Sequence, residues 1–421
     1  MDKFGFVKLK DVCNINMGQS PDSDSYNDNE DGIPFFQGNA DFGEKYPTTR
    51  KWCNAPTKIA HAEDILISVR APIGALNYAK EECCIGRGLA AITPNQDKVS
   101  SGFIYWLLKG KHKELNLQGT GSTFKAISRK VLEEIKVPDI ELKKQTELAG
   151  SLEKIYSVIQ LRKQQLEELD ILIKARFVEM FGDPIQNEKN WSRRSLEQLC
   201  HSIVDCPHST PNYISEDTGF MCIRTSVVKK NKILWDEIEY IVEDEFNQRI
   251  QRKRPEKGDI VYTREGAILG IAAIIDRNCN VALGQRSMLL SPDSSVCTSE
   301  FICTAMNSDS FLSNALRGIS GSASPHINVG DIKSFEMIAP PLELQRKFSE
   351  FNSQVDKLKV EVQSIFLNCD SRSIFRYAQS IKGCKIEKYE RRCSFDTKRE
   401  CHRGNEKKWW ICYLSAIKSD C

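Results

Sequence analysis

The chain repeats itself once, and the length of that repeat limits its architecture more than any composition figure. Asp64-Ile65-Leu66-Ile67-Ser68-Val69-Arg70-Ala71-Pro72-Ile73-Gly74 leads into Ile85-Gly86-Arg87-Gly88-Leu89-Ala90-Ala91-Ile92-Thr93-Pro94. Later, Gly258-Asp259-Ile260-Val261-Tyr262-Thr263-Arg264-Glu265-Gly266 leads into Leu283-Gly284-Gln285-Arg286-Ser287-Met288-Leu289-Leu290-Ser291-Pro292. Gly121-Ser122-Thr123-Phe124-Lys125-Ala126-Ile127 then matches Gly321-Ser322-Ala323-Ser324-Pro325-His326-Ile327, and Val137-Pro138 matches Ala339-Pro340-Pro341. Order and spacing hold throughout, with offsets climbing only from 195 to 202. Solenoid repeats recur every 20–50 residues or so. A unit four times longer is large enough to fold as a domain.

Within each unit, short β-branched runs (Ile65–Val69, Leu89–Ile92, Ile260–Tyr262, Ile271–Ile275) are bounded by Gly, Asp and Pro, which is strand-and-turn composition. Phe103–Leu108 and Phe301–Met306 read as short helices packed on those strands. The expected fold class is α+β, with two repeated globular heads at residues 1–140 and 183–342.

After each head the pattern changes. Leu148, Leu152, Ile155, Ile159, Leu166, Leu169 and Ile173 step by fours and threes, with Arg162 at the remaining position; Leu344, Phe348, Phe351, Val355, Leu358, Val362 and Ile365 do the same. Such narrow seams suit a partner helix, and the fold expected is a pair of long antiparallel coiled-coil helices at residues 141–182 and 343–366. The bland alternative lays each seam on its own head's core. Gly182-Asp183-Pro184 ends the first helix. The second seam breaks after Ile365, predicting a shortened helix followed by an atypical tail at residues 367–421. That tail carries six of the chain's 16 cysteines, Trp409-Trp410, and 13 Lys/Arg against 7 Asp/Glu.

Charge is dense but balanced, 59 Lys+Arg against 57 Asp+Glu, so any contact with nucleic acid must come from local basic surface. No run approaches the roughly 18 apolar residues of a membrane span, and the N-terminus lacks a signal-peptide core. A cytoplasmic protein with reduced thiols is expected, because the cysteines are scattered and none forms a C-x-x-C pair.

Taken together, these residues resemble the specificity subunits of Type I restriction–modification systems. The resemblance covers roughly residues 5 to 365. Its carriers are the 64–74 and 85–89 segments, Glu179-Met180-Phe181-Gly182-Asp183-Pro184-Ile185 before Asn190-Trp191, Gly321-Ser322-Ala323-Ser324-Pro325-His326-Ile327-Asn328, and Pro340-Pro341-Leu342-Glu343. The resemblance implies that each head is a target recognition domain for half of a split site in double-stranded DNA, with the paired helices setting the distance between halves. It also implies two methyltransferase (modification) subunits and the restriction/translocase subunits as partners. S-adenosylmethionine, ATP and Mg belong to those partners; no cofactor, metal or membrane is expected for this chain, and no catalysis. Family members usually continue the second helix further, and the foreign tail points to an altered reading frame or a recombination junction, with a genuine basic DNA-contacting tail as the alternative.

Base edges are read by Arg, Gln, Asn and Lys, whereas most contacts go to phosphate. Polar side chains on turns beside glycine are the candidates: Arg70, Arg87, Ser122 and Lys125 in head one; Arg264, Gln285, Arg286, Ser322 and His326 in head two. Arg252 and Arg254 join them from Arg249–Arg254, the densest basic cluster of either head. Features common to both heads cannot explain different base preferences, so base readers are expected where the halves differ: 19–26, 37–42, 208–213 or 249–254. The chain contains neither an Asn/Asp-Pro-Pro-Tyr/Phe methyltransferase signature nor a GxxxxGK[ST] phosphate loop. Two other readings remain at this stage, a self-contained restriction endonuclease and an inactive, silent specificity cassette.

Overall fold

The computed structural model describes residues 5–120, 125–317 and 325–382, with side chains as far as Gln363. Ser122, Ser322 and the tail from residue 383 onward lie outside the described residues. The chain divides into two units, Met1–Gln160 with Leu367–Cys421, and Leu161–Phe366.

In the first unit, β1 (Gly5–Lys8) passes through the short helix α1 (Leu9–Val12) into β2 (Cys13–Met17). Then come β3 (Ile33–Phe36), β4 (Ile65–Ser68), β5 (Leu76–Tyr78), β6 (Cys83–Ile85) and β7 (Leu89–Pro94). After α2 (Ser101–Gly110), α3 (Arg129–Glu133) and β8 (Lys136–Asp139), the long helix α4 (Leu142–Phe181) begins. The main sheet has the order β2-β7-β4-β5 and is antiparallel throughout. Ile65, Ile67, Ala90 and Ile92 pack with Trp106 and Leu108 of α2 on the helical side. Leu66, Leu89 and Ala91 pack on the other side with Phe36 and Ile85, which belong to a smaller sheet where β3 and β6 run parallel. Burial on both faces explains why Ile65–Ile67 is continuously apolar instead of alternating.

The second unit repeats this plan. Its elements are β9 (Arg193–Ser195), α5 (Leu196–Leu199), β10 (Cys200–Asp205), β11 (Met221–Ile223), α6 (Glu243–Arg249), β12 (Ile260–Thr263), β13 (Ala272–Ile274), β14 (Val281–Leu283) and β15 (Ser287–Pro292). α7 (Ser299–Met306), α8 (Val329–Lys333), β16 (Glu336–Ile338) and α9 (Leu342–Lys382) follow. The sheet order β10-β15-β12-β13 reproduces that of head one, and β11 pairs in parallel with β14 as β3 does with β6.

A buried glutamine seats each long helix on its head. Gln145 is 2 % exposed; its Oε1 accepts from the Ser100 amide at 2.9 Å, and its Nε2 donates to the carbonyls of Ile140 (2.8 Å) and Lys98 (3.3 Å). Gln345, 1 % exposed, makes the same three bonds to Thr298, Pro340 and Val296 at 3.1, 2.8 and 3.4 Å. These bonds satisfy an amide at the N-cap of α2 or α7 and a carbonyl at the foot of the long helix, groups that would otherwise be buried without partners.

The start of α4 lies on head one's core through Leu148 and Ala149, with Leu152 and Tyr156 beside them. Within the second unit, α4 and α9 meet directly and antiparallel: Phe177 packs edge-to-face on Phe348 at 5.5 Å, and Asp170 pairs with Lys359 at 2.7 Å. Phe177, Phe181, Phe301 and Phe348 form one cluster with ring centroids 4.9 to 5.7 Å apart, so this stretch is also part of head two's core. α4 ends at Phe181, with Gly182 left-handed at φ +76°. α9 does not stop near residue 366 as the seam had suggested; its backbone stays helical to Lys382. Loss of a heptad stripe ends a packing surface, whereas a helix ends at a breaker, and no Gly or Pro occurs between Leu342 and Gly383.

Replacing Gln145 by Leu leaves the Ser100 amide and two carbonyls unpaired, and is expected to cost head one about 1–3 kcal/mol. Gln345→Leu does the same to head two. Hydrogen exchange in moderate urea should show each variant losing protection in its own head only; equal loss in both heads would contradict this seating.

Candidate nucleic-acid interface

In head one the loops that carry the candidate residues are stitched together at one end of the sheets. The amide of Gly18 donates to Leu89 (2.9 Å), Gln19 to Ile85 (3.0 Å), Gly86 to Phe36 (2.8 Å), Val69 to Gly88 (2.9 Å), Ala71 to Lys125 (3.1 Å) and Ile127 to Val69 (2.9 Å). Arg70, Arg87 and Lys125 therefore converge on one surface, and all three side chains are exposed. Among the described residues no carboxylate pairs with any of them. The glycines here serve the protein's own packing. A Cβ on Gly88 would lie 2.3 Å from the Gln37 carbonyl oxygen, and one on Gly18 would lie 2.2 Å from that of Gly86. They let two loops close on each other, leaving the neighbouring arginine outermost.

Head two is built by equivalent bonds: Arg264 N to Arg286 O (3.1 Å), Gly266 N to Pro325 O (3.1 Å), Ile327 N to Arg264 O (2.8 Å) and Gly284 N to Ile223 O (2.8 Å). Gln285, Arg286 and His326 gather there, Arg286 and His326 exposed and Gln285 half-buried. Arg286 holds a left-handed backbone, φ +71°. That conformation is costly for a side chain other than glycine and gathers at functional surfaces. The Gln285 side-chain oxygen accepts from Thr210 at 3.1 Å.

In this register the two candidates Arg70 and Arg264 are not equivalent positions. Arg264 occupies the place of Val69, because each accepts from the Ile327 or Ile127 amide and donates to Arg286 or Gly88. The counterpart of Arg70 is Glu265, whose bridge to His326 matches the bridge of Arg70 to Ala126. A slip of one residue turns a strand side chain to the opposite face, so Arg264 points inward, 7 % exposed. Its Nε and Nη2 donate to the two carboxylate oxygens of Asp205 at 2.8 and 3.0 Å. Head one has Met17 in place of Asp205, as the pairing of Met17 with Ala90 and of Asp205 with Met288 shows. Arg264 is thus a buried structural cation and not an exposed side chain.

The cluster at 249–254 is likewise divided. Arg249 is 7 % exposed; it pairs with Glu245 at 3.3 Å and donates to the carbonyls of Ser209 (2.7 Å) and Leu283 (3.3 Å). It fastens α6 to the 206–213 loop. Arg254 donates to Asn280 at 2.6 Å, and Arg252 to the Asp205 carbonyl at 3.4 Å, both from exposed positions. One residue at this end of head two was not singled out by the sequence. Arg224 directly follows β11, pairs with Glu239 at 2.7 Å and lies over the Tyr213 ring at 4.8 Å. Burial pushes the Tyr213 hydroxyl up, so it stays neutral beside the guanidinium. The repeat arithmetic could not find Arg224, because the segments before β4 and β12 differ in length between the heads.

Arg264→Ala is expected to destabilise the chain by about 3 kcal/mol, since it removes both guanidinium bonds and leaves the mostly buried Asp205 carboxylate only the exposed His208 ring, 3.1 Å away, while Arg70→Ala should stay within about 0.5 kcal/mol. Urea denaturation of the two variants checks this, and equal effects would contradict the assignment of Arg264.

The family model described as Type I restriction modification DNA specificity domain matches residues 1–170 and again residues 188–364. The protein named as the MjaX type I restriction enzyme specificity subunit of Methanocaldococcus jannaschii is 44 % identical over 156 residues, 37 % of this chain and 37 % of that protein. The chain thus spans well under two thirds of that relative. The type I restriction enzyme EcoBI specificity subunit of Escherichia coli is 20 % identical over 412 residues, 90 % of this chain and 85 % of that one. The crystal structure of the Type-I restriction-modification system S subunit from M. genitalium superposes with a TM-score of 0.55 at 13 % identity, over 90 % of this chain and 96 % of that one, a likeness of fold. With the family model matched twice, once on each head, the chain belongs to the Type I restriction–modification DNA specificity family.

Proposed function

We propose that the chain is the DNA-reading specificity subunit of a Type I restriction–modification complex, each head engaging one half of a bipartite duplex target. One observation carries the reading: the same head is built twice, with the same loops gathered at the same end and the same glutamine seating a long helix beneath. Two alike readers on long helices suit two short sequences separated by unread base pairs, as dimer spacing suits split operators elsewhere. The α4–α9 contacts in the second unit support a helical spacer between half-sites. Two methyltransferase subunits and the restriction/translocase subunits are the proposed partners. S-adenosylmethionine, ATP and Mg act in those subunits, while this chain directs adenine methylation and cleavage without performing either. A self-contained endonuclease and a silent cassette are not favoured by the family match.

Arg70 and Lys125 are placed as phosphate contacts, being exposed, unpaired and beside close-packed backbone. Arg70→Ala and Lys125→Ala should weaken binding to every duplex sequence alike, each reducing the slope of log K against log salt by about one. Titrations of the full chain across a range of salt concentrations measure this. A wild-type chain whose duplex binding ignores both salt and sequence would overturn the proposal.

A further inference from the structure

The two heads present the same pair of side chains, a glutamine and an arginine, in exchanged positions. β3 and β6 run parallel and pair Phe36 with Ile85; β11 and β14 do the same with Ile223 and Leu283. In each head the next glycine donates its amide to the preceding strand at 2.8 Å, Gly86 to Phe36 and Gly284 to Ile223. The residue after β3 or β11 and the residue after that glycine are therefore structural equivalents across the repeat. In head one they are Gln37 and Arg87; in head two they are Arg224 and Gln285. Close approach is built in. A Cβ on Gly86 would lie 3.2 Å from the Gln37 Cα, and one on Gly284 would lie 3.6 Å from the Arg224 Cα.

The surrounding bonds hold these residues without using the head-one side chains. Asp41 accepts from the Gln37 amide at 2.7 Å and from the Gly38 amide at 3.3 Å, fixing the turn. The Gln37 carboxamide and the Arg87 guanidinium are exposed and have no hydrogen-bond partner among the described residues. In head two, Glu239 and the Tyr213 ring orient Arg224, and Thr210 orients Gln285. Arginine pairs in bidentate fashion with the O6 and N7 of guanine, and glutamine with the N6 and N7 of adenine.

Resting on the proposed DNA-reading function, we infer that Gln37 with Arg87, and Arg224 with Gln285, each read one adenine and one guanine in the major groove, and that the exchange of positions reverses the order of those two bases between the half-sites. The scaffold is common to both heads, so the exchange supplies a difference in sequence preference that shared residues cannot.

The test is selection of bound duplexes from a random library by the full chain, compared with Gln37→Ala, Arg87→Ala, Arg224→Ala and Gln285→Ala. Gln37→Ala and Arg87→Ala should relax one adenine and one guanine position of the same half-site by about 10-fold or more, leaving the other half-site intact. Arg224→Ala and Gln285→Ala should relax a guanine and an adenine position in the other half. Variants that keep every position of the motif, or lose affinity evenly without relaxing any, overturn the inference while the proposed function stands. A wild-type chain that enriches no motif overturns the function itself. Should Arg224→Ala unfold head two by freeing Glu239, the Gln37 and Arg87 variants, which remove no described side-chain contact, still decide the matter.

Discussion

The structure depends on a hydrogen-bonded glutamine at the foot of each long helix. Gln145 and Gln345 are nearly inaccessible, and each ties three backbone groups from two different elements into one fixed joint. A buried amide that satisfies several backbone groups at once has few alternative geometries, because shifting the helix leaves those groups unpaired in a water-free site. Head and helix therefore behave as one body at that joint. The same joint appears in both halves, so whatever a head presents at its far end is presented with the same precision twice.

At that far end, division of labour among the charged residues follows strand alternation. Arg70 faces solvent, whereas Arg264, one register position earlier, faces the interior and requires Asp205. Arg249 is buried for a different purpose, holding a loop against α6. The exposed set that remains has three cationic side chains in each head, Arg70, Arg87 and Lys125 against Arg252, Arg254 and Arg286, although the whole chain is close to neutral. Local surface, and not net charge, is what a duplex meets.

Much of this was legible in the sequence. Tandem duplication, the apolar strands at 65 and 260, and the end of α4 at Gly182 follow from spacing and turn chemistry alone. The seams were visible as stripes, but a stripe does not say what covers it; Ile173 and Phe348, one from each seam, lie in head two's core. Glutamines 145 and 345 carried no signal, since a polar residue near a helix start normally reads as solvated. Arg264 was misread because Arg-Ala-Pro and Arg-Glu-Gly align naturally by their arginines, and only the strand pairing reveals the one-residue slip. Arg224 was invisible because its equivalent, Gln37, lies in the part of the repeat where the two halves differ in length.

If each head is locked to its helix and the helices space the heads, as proposed, helix length must appear in the DNA target. One heptad inserted into both α4 and α9 keeps their seams in phase and adds about 10 Å of helix, roughly three base pairs of duplex. Selection of bound duplexes with the lengthened chain is the most direct measurement. The account predicts unchanged half-sites separated by a spacer about three base pairs longer. Unchanged half-sites with an unchanged spacer would contradict it.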